Sequence, residues 1–166
     1  MLERYSFESF VERAVVGQRG EQTVVDLVRS WGFDCEDATL TLRDPTSPAQ
    51  IKEFTRNQTD LLVNGISIEV KSRSLRFSDQ PGSFPYSTIF VDTVPGWNAK
   101  VRKPDFYVFV SQQTSQVLVL DGKTSGHWQQ KPSRDRGRGI VDRVFEAPRE
   151  MLRTAETLRL AISTKR

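Results

Sequence analysis

Apolar and polar residues alternate through "DLLVNGISIEVKSR" (60–73), Leu62 excepted, and pivot on Asn64-Gly65. An Asn-Gly pair between two such runs predicts a two-residue β-hairpin, because both turn positions need positive φ. That turn pairs Val63 with Ile66, Leu62 with Ser67, Leu61 with Ile68 and Asp60 with Glu69. Alternation then gathers Leu61, Val63, Ile66, Ile68 and Val70 on one wholly apolar face, which must meet a core. The other face carries Asp60, Leu62, Ser67, Glu69 and Lys71. Asp60 and Glu69 would stand opposite each other with Cβ atoms about 5 Å apart.

The same reading extends along the chain. Helical spacing from about Phe7 to Trp31 sets Val24, Leu27/Val28 and Trp31 in a stripe. Gly17 and Gly20 weaken its middle, so one bent helix or two are expected, and Gly32 closes the segment. Glu21, three residues before Val24 and seven before Val28, extends the buried stripe. "DATLTLR" (37–43) reads as a strand and "DPTSP" (44–48) as a loop. Residues 74–86 make a long loop, and 87–94 a short strand or extended arm. Residues 105–112 and 116–122 are two further strands. "QQKPSRDRGRG" (129–139) is expected to be a basic loop. Pro148 fits the first turn of a closing helix with Met151, Ala155, Leu158 and Ile162 on one face. The order predicts a single α/β domain over residues 1–166, with a mixed central β-sheet flanked by helices.

The length suits one domain with a real core. There is no apolar run for a membrane span, and acids stand where a signal peptide needs apolar residues. Cys35 is the only cysteine, which excludes a disulfide framework and Cys-rich zinc sites. The expectation is a cytoplasmic protein with no membrane association. The formal charge is +3, unevenly spread. Residues 1–60 hold 7 basic and 11 acidic side chains, whereas 100–143 hold 9 basic and 4 acidic, so one region is suited to a polyanion. His127 is the only histidine, which argues against His-metal nucleases, zinc hydrolases and two-histidine phosphotransfer. No GxxxxGK or GxGxxG motif supports nucleotide-driven chemistry.

Opposed carboxylates destabilise a hairpin unless something lies between them, and a divalent cation is the obvious candidate. The plain alternative is a polar face that meets water. Asp60, eight residues, then Glu69-Val70-Lys71 across a hairpin, with an upstream helical Glu21, resembles the PD-(D/E)XK nuclease superfamily. The likeness covers roughly residues 10–122. Thr59 stands where the family name has proline. A true Pro104-Asp105 occurs later, but no E-x-K follows it on a neighbouring strand, so Asp105 reads as a strand start.

The resemblance implies a restriction-endonuclease-like or Holliday-junction-resolvase-like core of order α-β-β-β-β-β-α. It implies Mg²⁺, with Mn²⁺ able to substitute, held by Asp60, Glu69 and the Val70 carbonyl. Lys71 would position or deprotonate the attacking water, and Glu21 would join through a water or a second metal. Cleavage would leave a 5′-phosphate and a 3′-hydroxyl. The expected substrate is duplex or branched DNA, as for a junction-resolving, restriction or homing enzyme, or a phage repair or packaging nuclease acting in a host cytoplasm. Candidate DNA contacts are Arg73 and Arg76 beside the site, the cluster Lys100, Arg102 and Lys103, and the loop residues Lys131, Arg134, Arg136 and Arg138. Trp97, Trp128 and Tyr86 could stack on bases or simply pack. Paired nicks need two sites, so at least a homodimer is expected. The alternatives are an RNA-directed nuclease and a non-catalytic nucleic-acid-binding subunit with a nuclease-like fold.

Overall fold

The computed structural model describes residues 7–37, 60–135 and 140–165. In chain order the elements are α1 (Phe7–Ser30), β1 (Glu36–Asp37), β2 (Leu61–Val63), β3 (Ile66–Arg73), β4 (Thr88–Thr93), α2 (Val94–Ala99), β5 (Phe106–Ser111), β6 (Val117–Asp121), β7 (Gln129–Asp135), β8 (Ile140–Pro148) and α3 (Ala155–Thr164). They form an α/β structure with two sheets, β1-β2-β3-β5-β6 and β4-β8-β7. The larger sheet is mixed: β3 and β5 run parallel, and its other pairs are antiparallel.

The β2–β3 hairpin forms as its sequence requires. Asn64 and Gly65 have φ of 49° and 76°, and Leu61, Leu62 and Val63 pair with Ile68, Ser67 and Ile66. The ladder ends there, and Asp60 lies just outside it. Helix α1 is unbroken. Gly20 is needed for packing: a Cβ there would stand 2.2 Å from the Ser72 hydroxyl, so only glycine lets α1 lie this close to β3. At its end the Phe33 N–H bonds the Val28 carbonyl and the Gly32 N–H bonds Arg29, with Gly32 at φ 87°, a Schellman closure.

Both faces of the central sheet are covered. On one, Ile66, Ile68, Val108 and Val119 meet Val24 and Val28 of α1 and Leu158 and Ile162 of α3. Each such side chain stabilises the fold by about 1.5–3 kcal/mol when fully buried. On the other, Tyr107, Phe109, Leu118 and Leu120 meet Ile89, Val91 and Ala147 of the second sheet, with Trp128 and Leu152.

Several expectations need correction. Residues 129–135 form β7, which pairs along its length with β8. Pro132 is compatible with this because β7 is an edge strand and needs no donor at every position. Pro148 ends β8, and Met151 sits in the following 3-10 turn (Arg149–Met151), so the closing helix begins only at Ala155. Leu158 and Ile162 are fully buried against this chain's own sheet. Residues 38–43 of the expected strand and the 44–48 loop lie outside the described residues. Among the described residues no helix is long and apolar enough to cross a membrane.

Candidate active site

Strand β3 sets Ser67, Glu69 and Lys71 on the face opposite its buried isoleucines, as alternation demands. That face meets water only at its Lys71 and Arg73 end. The second sheet covers it, and Glu69 is only 8% exposed. Parallel pairing of β3 with β5 places Tyr107 beside Glu69 and Phe109 beside Lys71.

From the second sheet comes Asp92. The β4–β8 ladder shifts register between Phe90 and Asp92, leaving Val91 as a bulge. A bulge breaks strict alternation, so the consecutive residues Val91 and Asp92 are both buried, at 0% and 6% exposure. Asp92 Oδ2 accepts a hydrogen bond from the Tyr107 hydroxyl at 3.0 Å. The Lys100 ammonium lies 3.3 Å from Asp92 and 3.6 Å from Glu69. The Lys71 ammonium lies 3.1 Å from Glu69 and 3.8 Å from Asp92. Two carboxylates and two ammoniums therefore alternate in a nearly closed ring. Gly96, at the start of α2, makes room for it: a Cβ there would come within 3.0 Å of Asp92 Oδ1.

Asp60 joins at the hairpin end. Its Oδ2 accepts the Val70 N–H at 2.8 Å, so the side chain takes over where the backbone ladder stops. Burial holds its carboxyl well above the ordinary carboxylate range, reinforced by the negative charges of Glu69 and Glu21 and opposed by the Val70 bond and Lys71. Glu21 of α1 is thus part of the same electrostatic cluster. Burial alone would lower Lys71, but Glu69, Asp92 and Asp60 outweigh it and its pKa is raised, so at neutral pH it stays an ammonium. The Tyr107 hydroxyl is pushed far up by burial and by Asp92, and remains a donor.

The residues expected to touch DNA fall into different places. Lys100 belongs to the acid–lysine ring and is not a free surface cation. Arg73 is half-buried: its guanidinium lies over the Phe90 and Phe109 rings, at 5.0 and 5.5 Å, and donates to the Phe90 carbonyl. Desolvation lowers its pKa to about 10, so it remains charged. Arg102 bonds the Gly65 carbonyl and Asp105, and Lys103 bonds the Trp97 and Lys100 carbonyls, so both tie down turns. Lys131 pairs with Glu146 at 2.8 Å but is half exposed. Arg76 is exposed. Arg134 sits on β7, and Arg136 and Arg138 lie outside the described residues. Trp97 and Trp128 pack with Tyr107 and Phe145 in an aromatic cluster, whereas Tyr86 is exposed. Asp105 accepts the Ser67 N–H, stitching β3 to the start of β5, a structural part.

The sequence reading missed Asp92 and Tyr107. Asp92 sits in "STIFVDTV", where only a buried acid inside an apolar run could have signalled it. Among the described residues no three His, Cys, Asp or Glu side chains converge as a ready metal-ligand set. Comparisons of the chain with family models, curated proteins and solved structures return no match.

Proposed function

We propose that this protein is a metal-dependent endonuclease that hydrolyses DNA phosphodiesters, built on a PD-(D/E)XK-type core. The observation that carries the reading is the convergence of Asp60, Glu69 and Lys71 at one end of the β2–β3 hairpin, beside the acid of α1. Asp60 and Glu69 are hard oxygen donors; burial first, then the charges of Glu69 and Glu21, raises the Asp60 carboxyl, and a bound cation would offset all three. Mg²⁺ needs only one or two carboxylates, with water and phosphate oxygens completing its shell, so the absence of a three-residue set among the described residues is no obstacle. Asp60 and Glu69 would hold it, with the Val70 carbonyl between the two catalytic side chains as a further donor. Bound there, the ion would supply charge neutralisation and a more acidic water.

The chain's own residues do the rest. Lys71, kept protonated, cannot accept a proton. Its part is to orient the attacking water and to stabilise charge that develops on the phosphate oxygens. The water oxygen bonds to phosphorus as the bond to the leaving 3′-oxygen breaks; the water gives up its proton to solvent and the 3′-oxygen takes one from solvent, leaving a 5′-phosphate and a 3′-hydroxyl. Asp92 and Tyr107 hold the lysine in place: Tyr107 fixes the Asp92 carboxylate, which faces Lys71.

One observation favours the second reading, a nuclease-like subunit that binds nucleic acid without cutting. Lys100 is already paired with Glu69, and a retired site would gain from such a counter-ion. One experiment separates the two. The protein is incubated with labelled duplex, single-stranded, flap and four-way-junction DNA, and with RNA, in Mg²⁺ or Mn²⁺. Cleavage that stops in EDTA supports the enzyme. Binding without cleavage of any substrate supports the subunit, and full cleavage in EDTA overturns the metal assignment.

A further inference from the structure

Two residues beyond Lys71 on the same face of β3, Arg73 borders a cavity of about 520 Å³ between that strand and β4. Its walls include three aromatic rings, Phe84, Tyr86 and Phe90. Tyr86 and Phe90 are 58% and 38% exposed, among the few large apolar side chains of the described residues left open to solvent. Tyr86 stands edge-on to the buried Phe84, with ring centroids 6.3 Å apart, so its ring is supported. Behind Phe90 the Arg73 guanidinium lies over the ring and makes it a cation-backed platform. The rim is polar: Ser87, Thr88 and Glu146 supply hydroxyl and carboxylate groups, with Thr88 donating to Glu146.

A flat, open aromatic wall with hydrogen-bonding groups at its edge matches a nucleobase, since every base has a π-face and polar edges. Its position narrows the ligand further. Arg73 also borders the groove that holds Lys71. Two residues of strand span about 6.6 Å, so a base in this cavity belongs to a nucleotide at or next to the phosphate that Lys71 would face. A base inside continuous duplex is stacked on both sides and cannot enter.

Building on the nuclease reading above, we propose that this cavity receives an unstacked nucleobase, and that the substrate is DNA carrying an unpaired nucleotide beside the cut: a bulge, a mismatch or a branch. The stack on Tyr86 gives selectivity for structure, while the polar rim sets whatever base preference exists.

The test is binding in EDTA, where no cleavage is needed. The full chain is titrated into a duplex with one bulged 2-aminopurine and into the same duplex fully paired. The wild type should bind the bulged DNA about tenfold more tightly, the size of one base–aromatic stack, and should quench the 2-aminopurine. Tyr86→Leu, which removes the ring but keeps apolar bulk at an exposed position, should lose both effects, and Tyr86→Phe should keep them. Equal affinity of the wild type for the two duplexes overturns the proposal, as does preference and quenching that survive in Tyr86→Leu. Bulge-selective binding by a protein that cuts nothing would keep the cavity and reject the nuclease. Cleavage of paired duplex without any bulge preference would do the reverse.

Discussion

The two faces of β3 are built from alternate residues of one strand, yet they do opposite things. Toward the helices, Ile66 and Ile68 are buried among other aliphatic side chains. Toward the second sheet, Glu69 is buried and Lys71 half-buried, in a ring with Asp92 and Lys100. The first face explains why the chain folds. The second does not, because the desolvation of four charges roughly cancels their attraction, and well-packed apolar residues in their place would be as stable or more so. An ionic ring with two buried carboxylates, laid across an otherwise aromatic cluster, is therefore the part of the molecule whose composition folding alone leaves unaccounted for.

The largest effect expected from this division is on chemistry. Lys71→Ala should lower the cleavage rate by about 10²- to 10³-fold while DNA affinity changes little. Single-turnover cleavage beside equilibrium binding checks it, and loss of binding in parallel would make Lys71 a DNA anchor. On the opposite face, Ile68→Ala should cost about 2–5 kcal/mol of stability through the cavity it leaves. The molecules that stay folded should cut at the wild-type rate, as denaturant melts and activity per folded molecule will tell. A loss of rate equal to that of Lys71→Ala would erase the distinction between the faces.

That distinction was partly legible in the sequence. The hairpin, its register and the grouping of Asp60, Glu69 and Lys71 follow from Asn-Gly and the alternation around it, which are local and strong. The second sheet was not legible, and neither was the covering of the charged face. Strand β7 carries Pro132 and no run of β-branched residues, and is a strand because β8 lies beside it. Asp92 turns inward because of a bulge at Val91, and no periodicity encodes a bulge. Arg73 and Lys100 read as basic residues near the site, which is true of their positions. Their partial burial depends on β4 and the segment around α2 folding beside them, a long-range event.

A smaller effect is expected at the partner that the second sheet supplies. Asp92→Asn keeps an acceptor for the Tyr107 hydroxyl but removes one of the two charges shared by Lys71 and Lys100. A loss of about 1–3 kcal/mol is expected near neutral pH. Burial tends to lower Lys71, and Glu69, Asp92 and Asp60 raise it. A raised lysine contributes stability below its unfolded pKa of about 10.4, lost as pH rises through the folded value. The gap between wild type and Asp92→Asn should therefore be full at pH 8 and narrow above about pH 10.5. Melts at both pH values measure it, and a gap that stays constant would mean that the charge on Lys71 is not what Asp92 serves.

The smallest effect, and the one that bears most directly on the cation, is at Asp60. Its carboxyl is held up first by burial, then by Glu69 and Glu21. An acid whose folded pKa is raised contributes stability that is present below its unfolded pKa, about 3.9, and lost as pH rises through the folded value. Metal-free wild type should thus weaken relative to Asp60→Asn between about pH 4 and pH 8. The asparagine carries no charge to desolvate, and its amide oxygen can still accept the Val70 N–H, so at pH 8 it should be as stable as the wild type or slightly more. Asp60→Ala, which loses that bond, should be the less stable variant of the two. Added Mg²⁺ should raise the melting temperature of the wild type more than that of Asp60→Asn, because only the wild type keeps both carboxylates for the ion. Thermal melts of the three proteins across this pH range, with and without Mg²⁺, give every comparison. If Asp60→Asn instead destabilises the metal-free protein by several kcal/mol at pH 8, the carboxylate is a structural partner of the hairpin, and the charged face of β3 serves the architecture after all.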